Sequence, residues 1–214
     1  MIETERLLLR PLRVEDVDAF VALHADERVN RFVGAYSHQQ ALDRLTSVEQ
    51  QWAERGHGLC AVELKSNGEF IGRVGLNYWE IFHEVELGWT LKAETWGHGY
   101  ATEAARACLD WGFATLDEPY FISLIRPGNT ASVRVAERLG LTPLREDELF
   151  GIQSRCTRWR SRPHCEAWMS AVLAGQRGFF AHWLVRGLLR VRRRVIMVMS
   201  AQFRWASECC GRRS

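Results

Sequence analysis

Apolar residues along the first 150 positions recur in two rhythms, one of period two and one of period 3.6. Leu7-Leu-Leu-Arg-Pro-Leu12 is a short strand ended by Pro11. Across residues 14–25, Val14, Val17, Phe20, Val21 and His24 share one face with acids opposite, which predicts a helix. Ser37-His-Gln-Gln40 fits a capping box, and the helix it opens runs to about Arg55, where Gly56 and Gly58 break it. Residues 59–65 alternate as a strand, and Ser66-Asn67-Gly68-Glu69 predicts a hairpin turn. Residues 70–78 and 85–91 give two further strands. A polar and aromatic connection, 92–96, leads into Gly97-His98-Gly99. From there Ala101, Ala104, Ala105, Cys108, Leu109 and Gly112 recur at helical spacing as far as Thr115. A strand at 120–125, a turn at Pro127-Gly128, a helix at 129–139 closed by Gly140 as C-cap, and a last strand at 141–146 complete the pattern. The order predicts an α/β fold around one mixed sheet, with no internal repeat.

The rhythm fades near Gly151, and composition changes with it. The whole chain, 47% hydrophobic and 25% charged, suits a globular core and excludes disorder throughout. Its net charge of +2 argues for no particular partner. Residues 1–150 hold 15 Lys and Arg against 24 Asp and Glu, a balance of −9. Residues 151–214 hold 13 Arg, no Lys and no Asp, with only Glu166 and Glu208 acidic, a balance of +11. A domain over 1–151 and a basic Arg/Trp/Cys-rich tail over 152–214 are therefore expected. The first six residues, Met1-Ile-Glu-Thr-Glu-Arg6, lack the apolar run of a signal peptide. The stretch 179–198 is broken by arginines and falls short of the ~20 apolar residues of a membrane span. The expected location is the cytoplasm, with Cys60 and Cys108 as small core residues.

The stretch Trp96-Gly97-His98-Gly99-Tyr100-Ala101 carries the most chemistry. Two glycines between a strand and a helix start let backbone N–H groups approach a ligand. The helix that follows adds unpaired N–H groups and a positive dipole end, suited to a pyrophosphate. A tight packing turn is the alternative on this stretch alone. A dinucleotide-binding loop fits poorly, since the third glycine position is Thr102 and the preceding strands form a meander.

Four segments together resemble the GNAT superfamily of acetyl-CoA-dependent N-acetyltransferases, and more narrowly its RimJ/RimL-like branch, which acetylates N-termini of ribosomal proteins. They are Thr4-Glu-Arg-Leu-Leu-Leu-Arg-Pro-Leu12, Glu84-Val-Glu-Leu-Gly-Trp89, Trp96-Gly-His-Gly-Tyr-Ala-Thr-Glu-Ala104, and Asn129-Thr-Ala-Ser132 leading to Arg138-Leu-Gly-Leu141. The resemblance covers about residues 2–150. It implies a mixed, mostly antiparallel sheet flanked by helices, whose final strand the sequence leaves uncertain. It also implies acetyl-CoA as co-substrate, its pyrophosphate held by Trp96, Gly97, His98, Gly99, Tyr100 and Ala101. The pantetheine arm is implied to lie along main-chain groups of Leu87, Gly88 and Trp89, in a gap between two splayed strands. Relatives often carry Gln or Arg where this chain has Glu94, an acid unhelpful to a pyrophosphate unless it points away.

The reaction implied is direct attack of a neutral amine on a thioester, which calls for a base, a proton donor for the departing thiolate and N–H groups for the oxyanion. Glu84 and Glu86 alternate onto one strand face, so either is a candidate base, against the alternative of an exposed face or a salt bridge. His83 and His98 are further candidates. Asn129 fits a helix N-cap and, by the resemblance, a contact to the CoA arm; Ser132 one turn in is the candidate proton donor. The tyrosine many relatives use falls at Ala136 here, so that route is closed. No HExxH or Cys/His spacing suggests a metal. The acidic balance of residues 1–150 favours a cationic acceptor: a peptide N-terminus, a lysine or a small amine. Trp52, Trp79 and Trp89 either line the acceptor groove or are buried aromatics. No nucleic-acid partner is expected for residues 1–151.

After Gly151 an alternating strand is expected, but Ile152-Gln-Ser-Arg-Cys-Thr-Arg-Trp-Arg-Ser-Arg162 alternates weakly. The tail reads as out-of-frame translation, as a basic amphipathic helix with a Leu184, Leu188, Val191, Val195 and Val198 stripe suited to anionic membrane or nucleic acid, or as an ordinary helical extension. A non-catalytic CoA binder, or a protein associated with membrane or nucleic acid through its tail, is the rival to the enzyme.

Overall fold

The computed structural model describes residues 1–81, 83–148 and 155–160. The chain divides into two units, Met1–Pro163 and His164–Ser214, and every described residue lies in the first. The amphipathic stripe at 184–198 and the rest of the tail from 161 onward lie outside the described residues.

Eight strands form one sheet: β1 Ile2–Glu3, β2 Leu7–Pro11, β3 Leu59–Leu64, β4 Phe70–Trp79, β5 Glu84–Leu91, β6 Ile122–Ile125, β7 Thr142–Glu148 and β8 Arg155–Arg160. They lie in the order β1-β2-β3-β4-β5-β6-β8-β7. Every neighbouring pair is antiparallel except β5 and β6. This is the mixed, mostly antiparallel sheet expected from the sequence. Its last strand, which the pattern leaves uncertain, pairs with β6 on one side and β7 on the other, so the sheet continues past Gly151.

The helices are α1 Val17–Ala25, α2 Glu27–Val33, α3 His38–Arg55, α4 Tyr100–Thr115 and α5 Thr130–Arg138. The box at Ser37 is formed: its hydroxyl accepts from Gln40 N at 3.2 Å, and Gln40 Oε1 accepts from Ser37 N at 2.9 Å. Asn67 and Gly68 make the β3–β4 turn, with Asn67 Oδ1 accepting from Glu69 N at 3.0 Å. Helix α2 is not predicted by the sequence pattern. Only Val29 of its seven residues is buried, so it leaves no apolar stripe to read; its start is held by Asp26, which accepts from Arg28 N at 2.8 Å.

Strand alternation sends side chains to both faces of the sheet. On one face Leu76, Leu87 and Phe121 pack against Ala104, Ala105 and Leu109 of α4. Gly112 sets how closely α4 lies: a Cβ there would stand 2.6 Å from Leu76 Cδ1 and 2.8 Å from Phe121 Cζ. On the opposite face Leu59 and Ala61 of β3 pack under Phe20 of α1 and Ala41, Leu45 and Val48 of α3. No helix among the described residues is long and apolar enough to cross a membrane.

Candidate active site

The glycine loop joins β5 to α4 through a single 3-10 turn, Ala93–Thr95. Gly97 and Gly99 have φ of 82° and 83°, where a side chain is strained, and Gly99 is the residue before the first turn of α4. A Cβ on Gly97 would meet nothing within 4 Å, and one on Gly99 only Arg6 Nη2 at 3.6 Å. The space beside the loop is therefore open, and these glycines are not there to pack. No side chain caps α4. Its first-turn N–H groups and positive dipole end are therefore not taken up by a side-chain cap. The Thr102 hydroxyl in the same turn is buried and has no partner among the described residues. This open, donor-rich cradle has the chemistry of an anion site, the kind a pyrophosphate needs.

The chain's first residues clamp the loop. Arg6 Nη1 donates to the His98 carbonyl at 3.0 Å, while its Nε and Nη2 reach Glu103 Oε2 at 2.8 and 2.6 Å. Thr4 Oγ1 and Arg6 N donate to Glu103 Oε1 at 2.6 and 3.0 Å. Burial pushes the Glu103 carboxyl up, but these hydrogen bonds outweigh it and hold its pKa below the ordinary range. The Arg6 guanidinium also covers the Tyr100 ring at 4.5 Å, and the His98 ring stacks on Tyr100 at 5.6 Å. Trp96 Nε1 donates to Leu91 O at 2.9 Å, tying the loop to β5. Glu94 pairs with Arg28 of α2, so the acid that looked adverse to a pyrophosphate has a cation of its own.

Beside the loop, β5 and β6 share one parallel pair, Glu86 with Ile122, and no pairing beyond it. The Ser123 hydroxyl crosses at 2.7 Å to the Leu87 carbonyl. The β6 side of β5 past Leu87, along Gly88 and Trp89, thus has no strand partner among the described residues. At the start of α5, Asn129 Oδ1 accepts from Ser132 N at 3.1 Å, the cap expected from the sequence. The half-buried Ser132 hydroxyl makes no hydrogen bond among the described residues.

Glu84, Glu86, Gly88 and Thr90 alternate onto the sheet face under α1, opposite Trp79, Asn77, Gly75 and Arg73 of β4. Glu86 Oε2 accepts from Trp79 Nε1 at 2.6 Å. Burial pushes the Glu86 carboxyl above its ordinary pKa, against the pull of Trp79, Arg73, Leu124 N–H and Arg44. Glu84 Oε1 accepts from the Tyr120 hydroxyl at 2.9 Å, and the Arg160 guanidinium covers the Tyr120 ring at 3.9 Å. Arg44 of α3 donates to Asn77 Oδ1 at 2.7 Å.

The structure brings Glu86 and Gly88 onto one sheet face, open over Gly88, with the glycine loop following on the same strand's exit. His98 belongs to the loop, and His83 is exposed in the β4–β5 turn, 3.2 Å from the Tyr78 hydroxyl; neither hydrogen-bonds to Glu86. Trp79 is Glu86's donor, whereas Trp89 packs against the core on the α4 side and Trp52 against the cores of both faces. Ser123, Thr102, Tyr120 and Arg73 carry no signal in the sequence that marks them for the site. Each is one polar residue in or beside an element read as apolar; for Ser123, Tyr120 and Arg73 only the placing of strands side by side gives it a neighbour.

A family profile described as an acetyltransferase (GNAT) domain matches residues 6–142. YkkB of Bacillus subtilis (strain 168) is 36% identical over 143 residues, which is 64% of this chain and 83% of that protein. The crystal structure of an acetyltransferase from Agrobacterium tumefaciens str. C58 superposes with a TM-score of 0.66 at 36% identity, covering 76% of this chain and 94% of that one. RimL, a ribosomal L7/L12 alpha-N-protein acetyltransferase solved in complex with coenzyme A, shares the fold: TM-score 0.62 at 18% identity, over 74% of this chain and 95% of that one.

Proposed function

Because the chain belongs to the GNAT acetyltransferase family, we propose that it transfers an acetyl group from acetyl-CoA to a primary amine by direct attack, with no covalent enzyme intermediate. The observation that carries this reading is the unfilled cradle at Gly97 and Gly99, which opens beside the unpaired edge of β5. Acetyl-CoA supplies an activated thioester. The main chain of Gly88 and Trp89, unpaired on its β6 side, is positioned to hold the pantetheine arm as an added strand.

An amine of pKa near 8–10 is mostly protonated at neutral pH, so it must give up a proton to react. Glu86 is the base in this proposal, directly or through one water. Its carboxyl stands on the same sheet face as Gly88, and burial raises its proton affinity, which improves it as a base. Glu84 stands two residues away on the same face and is the second candidate; one of its oxygens is engaged by Tyr120, as one of Glu86's is by Trp79. Ser132, whose hydroxyl has no partner among the described residues, donates the proton to the departing thiolate.

The test is thiol release from acetyl-CoA against a panel of amines, with acetyl-CoA binding measured separately by calorimetry. Release that depends on the amine supports transfer. Tight binding without release from any amine identifies a CoA binder, and absence of binding removes the cradle itself.

A further inference from the structure

The pocket face around Glu86 carries more polar equipment than attack by a simple amine requires. Arg73 of β4 stands opposite Thr90 of β5. Among the described residues its guanidinium makes no hydrogen bond and no ion pair, and its Nε is shut off from water. The Thr90 hydroxyl beside it is equally buried and equally without a partner. So is Nε2 of His24 on α1. His24 and Arg73 meet around Phe20, whose ring lies 4.3 Å from the His24 ring and 6.0 Å from the Arg73 guanidinium carbon.

Buried polar groups in folded proteins are almost always satisfied, so orphans on Arg73 and its cross-strand neighbour Thr90, with a third on nearby His24, point to a partner from outside the chain. Their chemistry is directional. Arg73 only donates. The His24 Nδ1 lies 2.8 Å from the Phe20 carbonyl and donates to it, leaving Nε2 as an acceptor. Burial and nearby Arg73 push the His24 pKa down to about 4, so this nitrogen stays unprotonated at neutral pH. Glu86 is a second acceptor. Between Glu86 and the Arg73–Thr90 pair lies Gly88, where a Cβ would meet nothing within 4 Å. This face therefore offers Glu86 as acceptor to an N–H-bearing group and Arg73 as donor to an anion, with free room over Gly88 between them.

We infer that the acceptor is an amino-carboxylate, its amine set over Gly88 against Glu86 and its carboxylate bound by Arg73 and Thr90. The inference rests on the acetyl-transfer reading and narrows its acceptor. It departs from the cationic acceptor that the −9 balance of residues 1–150 suggests. That balance is spread over a surface screened within about 8 Å at physiological salt, whereas Arg73 is buried on the face that holds Gly88 and Glu86. Arg73 is a specificity-determining residue in this arrangement: a charge-assisted bond is made only when the acceptor brings an anion.

The experiment uses the full chain and thiol release from acetyl-CoA. Substrates are unbranched amino acids in which a growing chain of methylenes separates a terminal primary amine from a terminal carboxylate, each beside its carboxamide. At the best chain length the carboxylate is expected to exceed the carboxamide in kcat/KM by about 10- to 100-fold. Arg73→Gln is expected to bring that ratio near one, and Arg73→Lys to restore part of it. Carboxamides used as well as, or better than, carboxylates by the unaltered chain overturn the inference while leaving acetyl transfer standing. The wild-type ratio alone decides this if Arg73→Gln does not fold. Failure to acetylate any amine, in either series or outside it, removes the transfer reading and this inference with it.

Discussion

Replacing Gly97 with alanine separates a loop that holds an anion from one that merely turns. The added Cβ would meet no atom within 4 Å, so it creates no clash in the free protein. What remains is the strain of a side chain at φ 82°, about 1–2 kcal/mol. For a protein of this size that lowers Tm by roughly 2–8 °C. Binding should respond far more strongly. If the cradle grips a diphosphate, the methyl group enters the space the anion needs, and two charge-assisted hydrogen bonds at about 1.5–3 kcal/mol each are lost. The sum, about 3–6 kcal/mol, is on the order of 10²- to 10⁴-fold in Kd. Gly68→Ala is the matched control: its φ is 73°, a Cβ there also meets nothing within 4 Å, and it lies in the β3–β4 turn. Calorimetry with acetyl-CoA and thermal denaturation are run on both variants. Equal loss of Tm with an affinity loss confined to Gly97→Ala is the expected result. If both variants bind acetyl-CoA within about threefold of the unaltered protein, the loop is a turn and the reasoning built on it fails.

Gly99→Val, adding a branched side chain at φ 83°, should abolish acetyl-CoA binding by the same calorimetric measure. Ser132→Ala should lower kcat by about 10-fold or more while acetyl-CoA binding stays nearly intact; unchanged turnover dismisses the serine as proton donor. Glu86 acts deprotonated and its pKa is raised, so kcat/KM should climb with pH through that raised value; Glu86→Gln should lose this limb and about 10²-fold or more in rate, and a limb that persists assigns the base elsewhere. Asp16 is pushed up by burial, but Arg10, bonded to its two oxygens at 2.7 and 2.8 Å, and the Arg13 N–H outweigh that and lower its pKa. The unfolded chain then takes up the proton first, so this stabilisation is present above about pH 3.8 and fades as pH falls through the depressed folded value. Asp16→Asn should cost about 2 kcal/mol at neutral pH and flatten the acid side of a stability curve; an unaltered curve would show the pair to be neutral.

Elements with a one-sided pattern or a local chemical stop are legible in the amino-acid sequence itself. Helix α3 has both, an apolar stripe and the Ser37–Gln40 box, and it forms over the residues those signals bracket. The β3–β4 turn and the cap at Asn129 are equally plain, because each is a bond between near neighbours. Helix α2 is invisible because it buries one side chain, and β8 because a strand between two others need not alternate clearly. The same division holds at the site. The glycine loop can be read, since its glycines and helix start are contiguous. The clamp on it cannot, for Thr4 and Arg6 are about a hundred residues from Glu103 and nothing in the sequence of either announces the other.

Strand β5 shows why the acceptor side is the hardest part to read. One face of it, Val85 and Leu87, is wholly apolar and locks into the α4 core. The other face, Glu84, Glu86, Gly88 and Thr90, taken alone looks like an ordinary solvated edge of a half-buried strand. What changes its meaning is β4, whose own alternation turns Trp79, Asn77 and Arg73 to the same side at the register Glu84–Trp79, Glu86–Asn77, Thr90–Arg73. A single-residue slip would send all of them into the apolar core, so the hydrophobic face fixes the polar one. The packing that makes the sheet stable is thereby what places Glu86 and Arg73 around the gap over Gly88. A core substitution such as Leu87→Ala, about 2–5 kcal/mol in stability, should for that reason disturb acceptor selectivity as well as Tm, though Leu87 faces away from the pocket. Selectivity that stays constant while Tm falls would mean the β4–β5 pairing is held without that core.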